Sequence, residues 1–336
     1  MKLFEKNAKA LEFDKVLEKL AEFTSCEDAR ENALNLRPES SLAMAQALLN
    51  QTADAHMLLA RFGGPSFGGL KNVNNALSRA NAGSVLNTRE LLDIAGVLRV
   101  IRTLSQWRES NAGVHSVLDP LFNALAPNKY LETAIFNAIV SEDEISDNAS
   151  PALADIRRKI RVQESKVREQ LEKFTRSQTN SKFLQENIIT QRNGRYVVPV
   201  KNEYRSEIAG LVHDTSSSGA TVFIEPMAVV EANNEIRVLQ AKEREEIERI
   251  LYELSVQAGD FAQSIKNSYE CALELNLIFA KAQYAYKIKA MPPILNDSGI
   301  INLRAARHPL IDPKKVVPVD IMLGKDFDTL VITGPN

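Results

Sequence analysis

Over the first 150 residues, apolar positions recur at helical spacing between short polar turns. One face of the segment ALEFDKVLEKLAEFT carries a clear stripe of them: Leu11, Val16, Leu17, Leu20 and Phe23. A second stripe runs through residues 38–62 and ends at the glycine-rich GGPSFGG, and further helical segments lead to the acidic loop SEDEISD. Because a spacing of three to four residues indicates an amphipathic helix, the sequence predicts a helical core over residues 1–150.

From Ser150 onward the apolar stripe becomes narrower. Ser150 followed by Pro151 is the cap-and-first-turn arrangement with which helices begin. The apolar residues that follow are separated by charged ones: Leu153, Ile156, Ile160, Val167, Leu171 and Phe174. Such a stripe is typical of a long helix that packs against one partner. We predict an outgoing helix over residues 151–186.

The next segment carries a β signal. In ENIITQRNGRYVVPVK, two β-branched runs flank Asn193 and Gly194, a pair of residues strongly favoured in two-residue hairpin turns. The runs EIAGLVHD and ATVFIEP follow, separated by TSSSG. We predict a small antiparallel sheet over residues 187–225, in which Pro199 places its strand at an edge because proline has no N–H to donate.

Helical pattern then resumes over residues 226–290 and ends at Pro292 and Pro293. Three short strand-like runs follow: GIINLRAARHPLI, VVPVDIML and DTLVITG. They predict the opening of an α/β domain over residues 291–336. The chain is therefore predicted to be mainly α, with a long helix leading out to a small sheet, a longer helix returning, and a nucleotide-binding fold beginning at its end.

Composition limits the class of protein. The 336 residues include 41 basic and 43 acidic side chains, so net charge alone does not indicate nucleic-acid binding. Two cysteines without a CxxC spacing argue against a disulfide framework or a zinc site, and we predict no metal site. The N-terminal segment has no apolar signal region, and no apolar stretch is long enough to cross a membrane. We expect a cytoplasmic protein.

The distribution of charge is more informative than its total. Residues 1–150 hold 15 basic and 19 acidic side chains, whereas residues 151–210 hold 13 basic and 7 acidic ones. Arg157, Arg158 and Arg161 are interpreted as a solvated helix face. Around the hairpin, basic residues cluster near Tyr196 and Tyr204: Lys182, Arg192, Arg195, Lys201 and Arg205. We predict that these five contact phosphates without reading sequence, and that Arg192, Arg195 and Lys201 point into solvent beside the turn.

No catalytic residue is predicted in this chain. His213 and Asp214 precede the TSSSG segment, but a single His-Asp step on a strand supplies neither a nucleophile nor a group that orients the base. We interpret the segment as a turn whose hydroxyl groups satisfy backbone groups.

Several stretches, in this order, resemble the MutS family of ATPases: RNGRYVVPVK, GLVHDTSSSGATVFIEP, ARHPLI, VVPVDIML and LVITGPN. The likeness covers nearly the whole chain and is similar to the bacterial type-II branch, whose members carry a C-terminal Smr nuclease domain. It implies a helical core, long lever helices forming an antiparallel arm, a β clamp at its tip, and the first strands of a P-loop ATPase domain. Because the helical core is predicted to begin at residue 1, we expect this protein to lack the mismatch-reading domains of the family.

The resemblance also implies nucleotide-binding positions. Gly334, Pro335 and Asn336 would open the Walker A loop, and Val316, Val317 and Pro318 would flank the adenine. Val319 stands where many members have an asparagine. ATP and Mg²⁺ are expected in a longer parent protein. This chain is expected to be an inactive N-terminal fragment that binds neither.

The partners implied by the resemblance are DNA, the ribosome through its rRNA, or both. The parent would be a homodimeric ATPase and endonuclease that limits recombination or acts on collided ribosomes, whereas this chain would be a monomer or a weak dimer. The alternative is a structural coiled-coil arm similar to SMC proteins, with the sheet as a dimerisation hinge. The basic, rather than apolar, character of the sheet region argues against it.

Overall fold

The structure is a computed structural model that describes the backbone of residues 2–333 and the side chains of residues 6–333. Its described residues form two compact units. The first contains residues 2–84, 90–133 and 256–333, and the second contains residues 85–89 and 134–255.

Helices make up most of both units. In chain order they are α1 (Lys2–Ala10), α2 (Phe13–Ala21), α3 (Glu27–Leu34), α4 (Leu42–Phe62), α5 (Asn74–Asn81), α6 (Thr88–Ser110), α7 (Asp119–Asn123), α8 (Lys129–Ala138), α9 (Pro151–Arg176), α10 (Gln178–Ser181), α11 (Met227–Asp260) and α12 (Ala262–Ile288). The strands are β1 (Ile139–Ser141), β2 (Glu144–Ile145), β3 (Thr190–Arg192), β4 (Arg195–Lys201), β5 (Gly210–Thr215), β6 (Thr221–Pro226), β7 (Ile301–Ala306) and β8 (Val319–Leu323). The prediction of a mainly α protein is confirmed.

The first unit is built around α12. This helix packs against α2, α3, α4, α5 and α7, and its Tyr269 and Phe279 side chains are fully buried. Trp107 of α6 lies edge-on to Phe279, with 5.7 Å between the ring centroids. Because five other helices pack against it, α12 is the centre of this helical core.

A buried ion pair also lies in this unit. The carboxylate of Glu132, 7% exposed, accepts hydrogen bonds from Nε and Nη2 of Arg102 at 2.7 and 2.8 Å. Hydrogen bonding to Arg102 holds the pKa of Glu132 below its usual range. The pair joins α6 to α8.

The second unit holds the predicted sheet. Its four antiparallel strands follow the order β3-β4-β6-β5. One face of the sheet buries Val198, Val200, Val222 and Ile224 against apolar residues of α9 and α11. Helix α9 begins as predicted, since the Ser150 hydroxyl accepts a hydrogen bond from the Leu153 amide at 3.0 Å. The narrow stripe is confirmed: Leu153, Ile160, Val167 and Leu171 are buried.

The prediction that Pro199 lies on an edge strand is wrong. Strand β4 is paired on both sides. Pro199 lies opposite Phe223 of β6, and on its other side its carbonyl accepts a hydrogen bond from the Gln185 amide at 3.0 Å. The ladder with β3 covers only residues 195–197, so the missing proline N–H falls beyond that ladder and does not interrupt it.

Three further elements differ from the prediction. The returning helix is interrupted at Phe261, between α11 and α12. The acidic loop contains the short hairpin β1–β2. The run DTLVITG was predicted to be a strand, but residues 328–333 form none, and Val331 and Ile332 are exposed. Its backbone has no neighbouring strand among the described residues, so no ladder can form.

Among residues 2–333, none of the helices carries an apolar stretch suited to spanning a lipid bilayer.

Candidate nucleic-acid interface

The β3–β4 hairpin has the turn that its sequence predicts. Arg192 pairs with Arg195 across a two-residue turn, and both turn residues have positive φ, 51° at Asn193 and 72° at Gly194. This is the type I′ geometry that Asn-Gly favours. Beyond the turn, the side chain of Asn233 in α11 binds both the N–H and the C=O of Tyr196, at 3.3 and 3.1 Å.

Three of the predicted phosphate-contacting residues, which we call the basic corner, lie just after α10, at the end of β4 and in the turn that follows β4: Lys182, Lys201 and Arg205. The Lys201 Nζ lies 3.3 Å from the Lys182 carbonyl oxygen. Between them the rings of Phe183 and Tyr204 pack with centroids 5.2 Å apart, and Lys182 Nζ lies 4.9 Å from the Phe183 centroid. None of the three basic residues forms an ion pair with a described residue.

Arg192 occupies a different position. Its guanidinium carbon lies 4.1 Å from the Phe223 centroid, in a cation–π contact, and its Nε lies 3.3 Å from Oδ2 of Asp214. The side chain remains 38% exposed. Since Lys201 pairs with Thr221, Lys201 and Phe223 lie diagonally opposite each other on one face of the sheet. Arg192 and Lys201 therefore share that face.

The prediction that Arg195 points into solvent is wrong. Its side chain is 12% exposed, and Nη1 donates to both carboxylate oxygens of Glu225 at 2.8 and 2.9 Å. Nη2 donates to Oδ1 of Asn234 at 2.6 Å. The Glu225 carboxylate has no exposed surface and would be costly to leave unpaired. Arg195 is therefore committed within the fold and is not available to a phosphate.

Sequence reasoning missed Glu225 and the role of His213. His213 Nε2 lies 2.5 Å from Oε2 of Glu225, so the histidine takes part in a polar cluster around the buried carboxylate. The turn interpretation of TSSSG is confirmed, because the Ser216 hydroxyl accepts from the Thr221 amide at 3.1 Å. A glutamate in the otherwise apolar run TVFIEP was the available signal, since a buried charge requires a partner.

The basic residues of α9 are mostly neutralised. Arg157 is 20% exposed and pairs with Asp147 and Glu243 at 2.6 and 2.7 Å. Arg158 pairs with Asp155, and Arg161 pairs with Asp147 at 3.1 Å. Arg158 and Arg161 are exposed and fit the interpretation of a solvated helix face. Arg157 instead connects Asp147, just before α9, to Glu243 of α11.

A second polar contact also connects the start of α9 to α11. The hydroxyl of Ser150 donates to Oε1 of Glu246 at 2.6 Å. Hydrogen bonds from Arg249 and Ser150 lower the pKa of Glu246 to about 2.

The described residues do not enclose a nucleotide. Val316, Val317 and Pro318 form an irregular run before β8, in which Val317 is 75% exposed. Gly334, Pro335 and Asn336 lie outside the described residues. In the part of the chain that is described, no group of three His, Cys, Asp or Glu side chains is placed to hold a metal ion.

Relatives cover nearly the whole chain. It is 45% identical over 337 residues to Endonuclease MutS2 of Ruminiclostridium cellulolyticum. It is 44% identical over 335 residues to Endonuclease MutS2 of Acetivibrio thermocellus, and 44% identical over 330 residues to that of Clostridium perfringens. These alignments include 98–99% of the chain. The chain belongs to the MutS2 group of the MutS family.

The chain spans 42% of the length of these MutS2 relatives. No family model matches it. The similarity to MutS2 proteins does not favour the alternative interpretation, in which the chain is a purely structural coiled-coil arm.

Proposed function

We propose that the sheet of the second unit is a nucleic-acid clamp that contacts the phosphate backbone without reading sequence. The observation that carries this proposal is the basic corner. Lys182, Lys201 and Arg205 form no ion pair with a described residue, whereas most basic residues of α9 are paired with carboxylates: Arg157, Arg158, Lys159, Arg161, Lys173 and Arg176. An unneutralised cation can release counterions from a phosphate, which is the main source of sequence-independent affinity.

Arg192 extends this surface. Its guanidinium is presented by the Phe223 ring and is only partly screened by Asp214. Arginine suits phosphate recognition because its planar group can donate two parallel hydrogen bonds. The proposed contact set is therefore Lys182, Lys201, Arg205 and Arg192. Arg195 is excluded by its bond to Glu225.

The name of the relatives, Endonuclease MutS2, supports nucleic acid as the class of substrate. We propose that a longer protein containing this chain is a homodimeric, cytoplasmic ATPase and endonuclease that binds ATP with Mg²⁺. In it, residues 151–186 and 226–290 act as lever helices and residues 187–225 as the clamp. Duplex DNA and ribosomal RNA both present phosphates, so both remain candidate substrates.

The test is neutralisation of the basic corner in the 336-residue chain. We expect K182Q/K201Q/R205Q to weaken binding to a 20-bp duplex DNA, or to a structured rRNA fragment, equally for different sequences. If each residue contacts one phosphate, the slope of log affinity against log salt on duplex DNA should flatten by up to about 3. Fluorescence anisotropy over a range of salt concentrations measures both quantities.

The matched control is R158Q/K159Q/K173Q, which removes the same number of positive charges from ion-paired positions on α9. It should change the salt slope little, because paired cations release few counterions. Equal slopes for the corner variant and the unmodified chain would refute the clamp proposal. If only one nucleic acid loses affinity in the corner variant, that loss identifies the substrate.

A further inference from the structure

We propose that Glu225 is a positioning residue that attaches the β3–β4 hairpin to the rest of the sheet through its contacts with Arg195 and His213. We call this cluster of three side chains the latch. This inference rests on the proposed function, because what the hairpin positions is Arg192 of the proposed contact set. It also assigns Arg195 a role different from phosphate binding.

The carboxylate of Glu225 joins three strands. It belongs to β6 and is fully buried. Arg195, the first residue of β4 after the turn, donates to both of its oxygens, and His213 of β5 approaches Oε2 from the other side. Arg195 also reaches Asn234 of α11. A single buried group thus holds the hairpin, the adjacent strand and a helix together.

Backbone pairing alone does not hold the hairpin in place. The ladder between β4 and β6 covers Val198 to Lys201, whereas residues 195–197 pair with β3 only. Past Val198, towards the turn, the described contacts between the hairpin and the rest of the sheet are made by side chains. They include the Arg195–Glu225 pair, the contacts of Arg192 with Asp214 and Phe223, and the bond from Asn193 Nδ2 to the His213 carbonyl at 3.2 Å. Asn233 of α11 adds its two bonds to the Tyr196 backbone.

The position of Arg192 depends on this attachment. Within the hairpin, Arg192 Nη1 donates to the Gln191 carbonyl at 2.9 Å. The guanidinium contacts outside the hairpin are made by Phe223 of β6 and Asp214 of β5. Both contacts require the hairpin to lie over those strands. If the latch opens, Arg192 leaves the face that it shares with Lys201.

Buried ion pairs give a clear mutational signature. Removing one partner leaves an uncompensated buried charge, whereas replacing both by neutral groups of similar size is often tolerated. Methionine at position 195 and glutamine at position 225 preserve approximate volume, and the glutamine amide can still hydrogen-bond to His213. A positioning role therefore predicts that the double variant recovers what each single variant loses.

The experiment uses the 336-residue chain and measures two quantities for R195M, E225Q and R195M/E225Q. Hydrogen–deuterium exchange of residues 190–197 without nucleic acid reports on the latch, and anisotropy with a 20-bp duplex DNA reports on binding. We expect each single variant to exchange faster in the hairpin and to bind about tenfold more weakly, in line with ordinary losses from broken buried pairs. The double variant should return to within about threefold of the unmodified chain with the same salt slope. R237M, at an exposed position of α11, controls for the loss of one positive charge.

Three results would overturn the inference or separate it from the proposed function. Unchanged hairpin exchange in both single variants would show that Glu225 is no latch. Restored exchange without restored binding in the double variant would show that Arg195 itself contacts DNA. Should the unmodified chain not bind DNA, the clamp proposal fails with DNA as substrate, and the exchange data alone decide the latch. If R195M or E225Q does not fold, E225D is used in its place, because aspartate keeps the charge but draws the carboxylate back by one methylene group from Arg195 and His213; unchanged hairpin exchange in E225D would refute the latch.

Discussion

Replacing Arg102 with methionine should leave the buried carboxylate of Glu132 without its main partner and lower the free energy of unfolding of the first unit. Glu132 accepts two hydrogen bonds from Arg102 and is almost inaccessible to solvent. Breaking such a pair by removing one partner typically costs about 3–5 kcal/mol. Arg99 remains 3.6 Å from the carboxylate, so we expect the lower end, a loss of about 3 kcal/mol in the free energy of unfolding.

The pH dependence of this loss has a definite sign. Arg102 holds the pKa of Glu132 below its unfolded value, so the stabilisation is present above about pH 4.5 and is lost as pH falls through the lowered folded pKa. In R102M, burial of Glu132 without its arginine partner favours the neutral carboxylic acid. Protonation of Glu132 at low pH therefore reduces the destabilisation of this variant. The difference in stability between the unmodified chain and R102M should therefore shrink as pH falls from 7.5 to 4.

Urea unfolding followed by tryptophan fluorescence measures this difference. Trp107 is the single tryptophan of the chain and lies in the core of the first unit against Phe279, so its signal reports on that unit. The control R102M/E132Q removes both charges and should recover most of the loss, and R99M, at a 55% exposed position, should cost less than about 1 kcal/mol. A loss below 1 kcal/mol in R102M, or a difference that widens towards acid, would refute this reasoning.

Two further predictions concern the sheet and the nucleotide. A Cβ at Gly210 would lie 2.3 Å from the Glu225 carbonyl oxygen and 2.6 Å from Ile224 Cγ2, so G210A should lower the free energy of unfolding by about 1–3 kcal/mol. G113A, where a Cβ would meet nothing within 4 Å, is the control, and chemical unfolding by circular dichroism that fails to separate the two would contradict the close approach. The 336-residue chain should not bind ATP measurably, because Val316, Val317 and Pro318 are not part of an enclosed site among the described residues; micromolar affinity in isothermal titration calorimetry would show otherwise.

The features that the sequence predicts well are those decided by neighbouring residues. The Asn193-Gly194 turn needs only two adjacent residues that tolerate positive φ. The start of α9 needs only the Ser150 hydroxyl and the amide three residues later. The buried stripe of α9 follows from helical periodicity, although which partner it contacts does not. Neighbouring residues are therefore enough to predict these elements.

The predictions are wrong mostly where a contact between residues far apart in the sequence, or the lack of such a contact, determines the local structure. Pro199 lies in an interior strand because the segment before β3 supplies a partner for its carbonyl. The run DTLVITG has the composition of a buried strand, but a strand needs a neighbour for its backbone groups, and the described residues provide none. The break between α11 and α12 is an exception, because Gly259 lies directly before Asp260, the last residue of α11, and was a local signal that the prediction of one helix did not use.

In the candidate site, too, the sequence locates a cluster of basic residues, but distant contacts decide what each of them does. Five basic residues near one hairpin are equivalent in a count of charge, yet Arg195 meets a carboxylate thirty positions further along the chain while Arg205 forms no ion pair with a described residue. Because β4 and β6 are adjacent strands, Arg195 and Glu225 could be expected to meet once the strand order is known, and a lone glutamate in TVFIEP then requires a cation. Charge clustering thus indicates where a phosphate-binding surface lies, but only the buried acid beside it decides which cations remain free to bind.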